Sequence, residues 1–218
     1  MPRKNAKNLR ILVTAGPTRE WLDPVRFITN PSTGVMGYEI ARAAKLAGSR
    51  VTLLSGPVTM KAASGIQVIP FETTNQLDRL LAREFPKHDL LFMTAAVGDY
   101  MPALIQKNKM KRKSGITVRF KQTPDLLAKL ARIKKKQTVV GFCLETENLA
   151  ANAKKKLQKK KLDFIVANYL GNGTQPFGSG QTNVILIAKN GKKKEFKKIG
   201  KSRLAKLLLK EIIHADAK

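Results

Sequence analysis

The residues best suited to chemistry are Ser32, Thr33 and Gly34, which follow an apolar strand predicted at 11–14 and precede a helix predicted at 35–47. Small residues at a helix start leave backbone N–H groups free at the positive end of the helix dipole. Such a helix start binds anions, most often phosphate. Because no Gly-x-Gly-x-x-Gly sequence follows the first strand, the pattern indicates a nucleotide or phosphorylated substrate rather than an ordinary dinucleotide site.

A second candidate segment, at 94–100, follows an apolar strand predicted at 89–94. Ligands of open α/β sheets bind at the carboxyl ends of the strands, so this segment should lie beside the helix start. Its small residues permit close approach of the backbone to a ligand, and Asp99 offers a carboxylate for Mg²⁺ or for a ligand hydrogen bond. A tight turn with a solvated aspartate is an equal alternative on these residues alone.

Lysines mark the segment at 101–114, where Lys109, Lys111 and Lys113 would share one face of an extended chain. We expect a mobile loop that brings these charges onto bound phosphates. The residues alone favour a simpler interpretation, in which the lysines form a solvated charge run.

Two further cations, Lys156 and Lys160, are spaced four residues apart on a predicted helix, where they can clamp a polyphosphate. A solvated helix surface is the competing interpretation in so lysine-rich a chain. Phe142, at the end of a predicted strand, could stack on a base, although such a residue more often belongs to the core. No neighbouring residue supplies a base for Cys143, which we interpret as a packed small side chain.

Composition narrows the class of protein. The chain has 218 residues, 43% of them hydrophobic, which suffices for one domain with a substantial core. One cysteine and two distant histidines argue against disulfides and a zinc site. No apolar run reaches the ~18 residues of a membrane span, and the basic N-terminus lacks the apolar region of a signal peptide. We therefore expect a cytoplasmic protein without a membrane partner.

The net charge of +27 raises the alternative of a basic nucleic-acid-binding module. Aromatic residues make up only 6% of the chain, and most lysine clusters have none among them, so a solvated basic surface is the preferred interpretation. We therefore do not expect nucleic acid as a partner.

Strand and helix patterns alternate, which predicts an α/β fold with a Rossmann-like, doubly wound, mostly parallel sheet and helices on both faces. We expect one domain at 10–214 with a mobile lysine-rich flap loop at about 101–115, a basic tail at 1–9 and a short tail at 215–218. The other predicted strands are 51–55, 67–71, 116–120, 138–142, 163–167, 183–188 and 195–198, the last two forming a hairpin. The other predicted helices are 74–84, 124–133, 148–160 and 202–214, and a glycine-rich loop is predicted at 171–180.

Ordered motifs extend over nearly the whole chain. They are Val-Thr-Ala-Gly-Pro-Thr-Arg-Glu at 13–20, Asp-Pro-Val-Arg-Phe-Ile-Thr-Asn at 23–30, Ser-Thr-Gly at 32–34, Ser-Gly-Pro at 55–57, Ala-Ala-Val at 95–97 with Asp99, Lys-Met-Lys at 109–111, Pro-Asp at 124–125, Val-Gly-Phe at 140–142 with Glu-Thr at 145–146, and the run at 163–168. Their order and spacing together are specific. On these motifs the chain resembles phosphopantothenoylcysteine synthetase, a ligase of coenzyme A biosynthesis.

The resemblance implies a reaction in two steps. The carboxylate of 4′-phosphopantothenate attacks the α-phosphate of a nucleotide and releases pyrophosphate. The amine of cysteine then attacks the acyl-nucleotide, which forms an amide and releases the monophosphate. Because the run at 140–146 is similar to the bacterial type, CTP is the expected nucleotide, together with Mg²⁺. The resemblance also implies a homodimer, no flavin in this chain and, since only a basic tail precedes the first strand, a separate decarboxylase that acts on the product.

By the same resemblance, Asn30 and Lys109 are the expected catalytic residues. Arg26, Asn30, Ala95 and Ala96 are expected at the substrate, and Asp99 is the expected Mg²⁺ ligand. The expected nucleotide contacts are Ser32, Gly34, Met93, Thr94, Ala95, Asp99, Lys109, Thr123, Pro124, Asp125, Leu126, Phe142, Lys156 and Lys160.

The chain departs from the family pattern at Pro17, Pro31, Val35, Gly98 and Arg112. The individual phosphate contacts therefore stay open. A nicotinamide-dependent reductase on the same type of sheet is a further alternative. It is disfavoured because the glycine fingerprint is missing and because neither Tyr38 nor Tyr100 is followed by a lysine four residues later.

Overall fold

The computed structural model describes residues 6–112, 114–169, 177–178 and 180–215. Within these residues the strands are β1 (Arg10–Ala15), β2 (Arg19–Trp21), β3 (Phe27–Thr29), β4 (Arg50–Ser55), β5 (Gln67–Pro70), β6 (Leu90–Met93), β7 (Tyr100–Pro102), β8 (Phe120–Gln122), β9 (Thr138–Glu145), β10 (Phe164–Tyr169), β11 (Gln181–Ala188) and β12 (Lys193–Gly200). The helices are α1 (Val35–Leu46), α2 (Thr74–Glu84), α3 (Leu126–Ile133), α4 (Leu149–Lys159) and α5 (Lys201–Ala215), and a 3₁₀ turn follows α2 at Phe85–Lys87.

The central sheet has 8 strands in the order β12-β11-β10-β9-β6-β1-β4-β5. The strands from β10 to β5 in this order run parallel, whereas β11 and β12 add an antiparallel edge. Strands of a parallel sheet are covered on both faces, which explains why the four residues of β6 are all apolar and all buried. The predicted Rossmann-like, mostly parallel sheet is confirmed.

Helices cover both faces of this sheet, as predicted. α1 and α5 pack on one face, where Ile40 and Leu208 belong to the core. α2, α3 and α4 pack on the other face through Leu77, Leu130 and Leu157. Each helix buries one apolar stripe, and full burial of such a side chain stabilises the fold by ~1.5–3 kcal/mol. The two helical layers therefore hold the strand ends in fixed positions.

The predicted strand at 116–120 is wrong. The observed strand, β8, begins only at Phe120, where it pairs with β7 in a separate two-stranded sheet. Ile116 is 61% exposed, so its place in an alternating pattern reflects no buried face. The segment between β7 and β8, residues 103–119, is therefore one long connection, which we name the flap.

The hairpin of β2 and β3 is a second feature that the sequence pattern does not predict. Its strands have three residues each, which is too short for an alternating pattern to show. Aromatic contacts support the hairpin, because the rings of Trp21 and Phe27 meet edge to face at 5.0 Å and the Arg19 guanidinium lies 4.4 Å from the Phe27 ring centre. This hairpin lies between the first strand and the Asn30 segment and carries Arg26 on its turn side.

Some predicted features fall outside the described residues: Lys113, most of the loop at 171–180, residues 1–5 of the tail at 1–9, and residues 216–218 of the tail at 215–218. Residues 6–9 are described and lie against the end of α1, where the Ser49 hydroxyl donates to the Ala6 carbonyl oxygen at 2.7 Å. Among the described helices, none combines the length and the apolar character that a membrane-spanning segment requires.

Candidate active site

A cavity of about 780 Å³ opens at the carboxyl ends of β6, β9 and β10, beside the start of α1. The strand order reverses between β1 and β6, and open α/β sheets bind ligands at such a reversal. Most of the residues that the sequence predicts at the site line this cavity: Asn30, Ser32, Gly34, Met93, Thr94, Ala95, Ala96, Asp99, Thr123, Pro124, Asp125, Leu126, Phe142, Lys156 and Lys160. Arg26 and Lys109 do not line it.

The N-terminus of α1 lies at the cavity wall. Gly34, its N-cap residue, has φ 76°, a left-handed conformation that glycine adopts without strain, and no described side chain caps the helix. Gly37 lets the first turn pack directly on the sheet, because a Cβ there would lie 2.6 Å from both Ala15 Cβ and Thr94 Oγ1. The sequence thus places an uncapped helix start, with its N–H groups and positive dipole end, against the strand ends.

Asn30 is half-buried, and its side-chain amide is oriented by the loop that follows β6. Its Nδ2 donates to the carbonyl oxygen of Ala96 at 3.3 Å. The same oxygen accepts from the Thr18 N–H at 3.2 Å, so the position of Ala96 is fixed from two sides. The carboxamide therefore stands in one orientation beside the cavity, with one N–H used by the protein.

Three threonines hold the loop after β6 in place. The N–H of Ala95 donates to Thr14 Oγ1 at 3.0 Å, and the N–H of Gly98 donates to Thr18 Oγ1 at 3.1 Å. The Thr123 hydroxyl donates to the Gly98 carbonyl oxygen at 2.6 Å. Since each bond joins the loop to a different element, the loop is a rigid part of the cavity wall rather than a loose turn.

Asp99 lies at the exposed end of this loop, and its carbonyl oxygen accepts from the Thr123 N–H at 3.0 Å. The described residues contain no group of three or more His, Cys, Asp or Glu side chains that could enclose a metal ion. Mg²⁺ needs no such cage, because it binds through one or two carboxylates together with substrate phosphates and water. A single carboxylate on the cavity wall therefore fits Mg²⁺ that arrives with a nucleotide.

Lys156 lies in the last turn of α4, Lys160 is the C-cap residue of that helix, and both line the cavity. Each has an acidic neighbour: Lys156 Nζ lies 2.6 Å from Glu145 Oε1, and Lys160 Nζ lies 3.4 Å from Asp125 Oδ1. Both lysine side chains are partly exposed, and pairs at the surface contribute ~0–1 kcal/mol, so ligand phosphates can compete with the carboxylates for these ammonium groups. The clamp stays a prediction.

Phe142 and Cys143 are adjacent, half-buried residues of β9 that both line the cavity. Phe142 also packs against the core, so the two alternatives for this ring, base contact and core, are compatible. Burial raises the pKa of the Cys143 thiol to about 11, although the nearby charge of Lys156 works against this shift. A thiol with such a pKa is a poor nucleophile at neutral pH, in keeping with the interpretation of Cys143 as a packed side chain.

Arg26 and Lys109 lie on two segments that are in contact, and neither is among the residues that line the cavity. Lys109 is exposed on the flap, and the Arg26 guanidinium donates to the carbonyl oxygen of Met110 at 2.7 Å. Arg26 therefore contacts the flap in this structure, and its expected contact with substrate stays a prediction. The mobility of the flap stays a prediction.

Several residues of the cavity wall are absent from the set predicted from the sequence, among them the polar residues Asn168, Thr182 and Lys201. Asn168 ends up beside Thr182, whose hydroxyl donates to Asn168 Oδ1 at 3.0 Å. Asn168 lies at the carboxyl end of β10, which is parallel to β9, so the rule that ligands bind at the carboxyl ends of strands could have identified it. Lys201 begins α5, is buried, donates to the Gly178 carbonyl oxygen, and has a pKa lowered by burial. Among 42 lysines and arginines, nothing in the sequence distinguishes it.

The fold and the cavity define a Rossmann-like α/β protein with an anion-binding helix start and a rim of lysines and carboxylates, suited to a nucleotide or a phosphorylated substrate. The sequence pattern of one family matches residues 6–215. The chain belongs to this family, the DNA/pantothenate metabolism flavoprotein C-terminal domain.

Named relatives are considerably longer than this chain. The coenzyme A biosynthesis bifunctional protein CoaBC of Bacillus subtilis (strain 168) is 40% identical over 204 residues, which cover 93% of this chain and 50% of that protein. CoaBC of Escherichia coli (strain K12) is 36% identical over 217 residues, which cover 97% of this chain and 53% of that protein. The chain thus spans about half the length of the curated relatives it matches.

Solved structures share the whole fold. The C-terminal domain of a CoaBC protein superposes with a TM-score of 0.81 and 34% identity, and the match covers 96% of each chain. A Cab2 variant in complex with phosphopantothenate-cysteine superposes with a TM-score of 0.78 over 98% of this chain and 87% of that chain. At 18% identity, the second likeness concerns the fold alone.

Proposed function

We propose that this chain is a phosphopantothenate–cysteine ligase, which joins 4′-phosphopantothenate to cysteine while CTP is converted to CMP and pyrophosphate. One observation carries the proposal: the cavity brings the α1 N-terminus, Asn30, Asp99, Lys156 and Lys160 around a single space. The family membership, the ordered motifs and the relatives named for coenzyme A biosynthesis support it.

In the first step the substrate carboxylate attacks the α-phosphorus of CTP, and the bond to pyrophosphate breaks. A carboxyl group is already ionised near pH 7, so this step needs no general base. Negative charge grows on phosphate oxygens instead, which calls for fixed donors and cations. The first-turn N–H groups of α1 and the ammonium groups of Lys156 and Lys160 supply them, and Lys109 would add its charge from the flap.

In the second step the cysteine amine attacks the acyl carbon of the acyl-cytidylate. Charge develops on the acyl oxygen, the bond to CMP breaks, and the amine loses a proton as the amide forms. Asn30 would donate its second Nδ2 hydrogen to that oxygen, because the first is donated to the Ala96 carbonyl oxygen. A donor fixed before the reaction contributes more than a mobile one, since no reorganisation is needed.

Other parts of the proposal concern the surroundings of the reaction. Asp99 would hold Mg²⁺, which when bound neutralises charge on the nucleotide phosphates. The base would contact Phe142, with the segments Met93 to Ala95 and Thr123 to Leu126 around it. The homodimer, the absence of flavin from this chain, the separate decarboxylase and the cytoplasmic location stay predictions.

The test is a reaction containing the protein, CTP, 4′-phosphopantothenate, cysteine and Mg²⁺, followed by pyrophosphate release and by the mass of the product. We expect pyrophosphate and 4′-phosphopantothenoylcysteine in equal amounts. When cysteine is omitted, we expect no more than one pyrophosphate per protein chain. ATP in place of CTP tests the nucleotide. If no nucleotide supports ligation while RNA or DNA binds with a steep salt dependence, the nucleic-acid alternative replaces this proposal.

A further inference from the structure

The turn of the β2–β3 hairpin contains a carboxylate that is fully buried, that of Asp23. Its Oδ1 accepts from the N–H groups of Val25 and Arg26, both at 2.8 Å, which shapes the turn. Its Oδ2 accepts from the N–H of Met110, a flap residue, at 3.1 Å and lies 3.7 Å from Arg26 Nε. The Asp23 carboxylate therefore binds the hairpin turn through one oxygen and the flap through the other.

The Met110 peptide is held on both sides. Its N–H donates to Asp23, and its carbonyl oxygen accepts from the Arg26 guanidinium at 2.7 Å. A third bond joins the same segments, because the N–H of Gln106 donates to the carbonyl oxygen of Leu22 at 2.9 Å. Met110 directly follows Lys109, so these contacts fix the backbone beside the lysine.

We propose that Asp23 and Arg26 form a clasp on the Met110 peptide and that Asp23 is a positioning residue of the ligase, which sets where Lys109 stands relative to the bound nucleotide. This inference rests on the proposed function, since it concerns the charge that Lys109 brings to the phosphates. It assigns Asp23 a role that acts through the flap and not through contact with substrate.

The exposure of the flap explains why a polar clasp matters. Leu104 and Ile105 are 71% and 57% exposed, and Ile116 is also exposed, so these apolar side chains give the flap little burial to hold it. A buried carboxylate that loses its partners is costly, which favours the state in which Met110 closes the site of Asp23. The clasp thereby selects one position of the flap among many.

The variant Asp23→Asn separates the two halves of the clasp. An amide keeps one acceptor oxygen, and two N–H groups of the turn compete for it against one from Met110. The Nδ2 group then faces the Met110 N–H, where it cannot accept, and it carries no charge for Arg26. The hairpin turn therefore survives in Asp23→Asn while the flap contact is lost.

The test measures amide hydrogen exchange at Met110 together with ligase kinetics. In Asp23→Asn we expect exchange at Met110 to be ~10-fold faster or more, because the amide has lost its buried acceptor. We expect kcat to fall by ~10- to 100-fold with little change in KM for cysteine, as for a displaced catalytic group. In a chain that already carries Lys109→Gln, adding Asp23→Asn should lower kcat little further.

The matched control is Asp163→Asn, which changes another buried carboxylate with N–H and lysine partners. Asp163 accepts from the Val139 N–H at 2.9 Å and pairs with Lys134 and Lys189, on the far side from the flap. We expect lower thermal stability from it and unchanged exchange at Met110. Unchanged exchange at Met110 in Asp23→Asn, or additive losses with Lys109→Gln, would overturn the clasp. A wild-type chain that shows the protected Met110 amide but no ligation would overturn the proposed function instead.

Discussion

The replacement Asn30→Asp tests the proposed chemistry with the smallest change of shape. The carboxamide of Asn30 donates to the Ala96 carbonyl oxygen at 3.3 Å, and an aspartate would place a second oxygen at that distance. The lost bond is long and only half-buried, so its contribution to stability is at the low end, ~0.5–1 kcal/mol. The variant should therefore fold, with a melting temperature lowered by only a few degrees (~4 °C).

The replacement Asn30→Asp should lower kcat much more than it lowers stability. The aspartate has no hydrogen to donate to the acyl oxygen, and it adds negative charge beside phosphates. Loss of one fixed donor of this kind costs ~10²-fold or more in kcat, which corresponds to ~2.7 kcal/mol. The assay is product formation by mass at saturating CTP and cysteine, beside a thermal melt of the same preparation.

Asn190→Asp is the matched control, because there the structure uses the acceptor and not the donor. Asn190 Oδ1 accepts from the Lys192 N–H at 3.1 Å in the β11–β12 turn, and aspartate retains that oxygen. We expect this variant to match the wild type in both measurements. Turnover of Asn30→Asp close to that of the wild type would refute the role given to the carboxamide, and a melting loss large enough to explain the lost activity would make Asn30 a structural residue.

Three further predictions concern the cations, the thiol and the histidine. Replacing both Lys156 and Lys160 by Gln should raise KM for CTP ~10-fold or more but leave KM for cysteine nearly unchanged. The same change at 192–193 should leave both constants unchanged, because exposed charges are screened beyond ~8 Å. Equal effects of both pairs in steady-state assays would contradict the clamp. With a pKa of about 11, Cys143 should react with iodoacetamide at pH 8 on the order of 100-fold more slowly than an ordinary thiol. Mass spectrometry follows the alkylation, and a rapid reaction would contradict the burial of the thiol. Cys143→Ala should keep full turnover. Burial lowers the pKa of His88 below its ordinary 6.5, so as the pH falls the unfolded chain binds a proton at this residue before the folded chain does. The contribution of neutral His88 to stability is complete above pH ~6.5 and should be lost as the pH falls through the folded-state pKa. Urea unfolding at pH 7.5 and 5.5 should show this loss in the wild type and less of it in His88→Gln.

The sheet and its helices were predictable because each element carries its own pattern. The helix predicted at 74–84 coincides with α2, Thr74–Glu84, since Thr73 and Gln76 form a capping box and Leu77 and Leu81 repeat at helical spacing. The position of the cavity was predictable indirectly, from the predicted strands. Once strands are assigned, the rule that ligands bind at their carboxyl ends brings Thr94 and Phe142 together without any knowledge of side-chain contacts.

A loop is predicted at about 101–115, but the contacts of the flap and the hairpin of β2 and β3 were not predictable in this way, because they depend on bonds between distant segments. Asp23 and Met110 are 87 residues apart, and neither lies in an element with a readable period. The Asp-Pro-Val-Arg run shows that a turn forms, since aspartate can accept from N–H groups two and three residues later, but nothing local shows that its second oxygen is reserved for another loop. Arg26 is a further example, because its guanidinium contacts the carbonyl oxygen of Met110, 84 residues away, and no local pattern indicates this contact. A bond of this kind depends on two segments that are distant in the sequence, so only the folded chain reveals it.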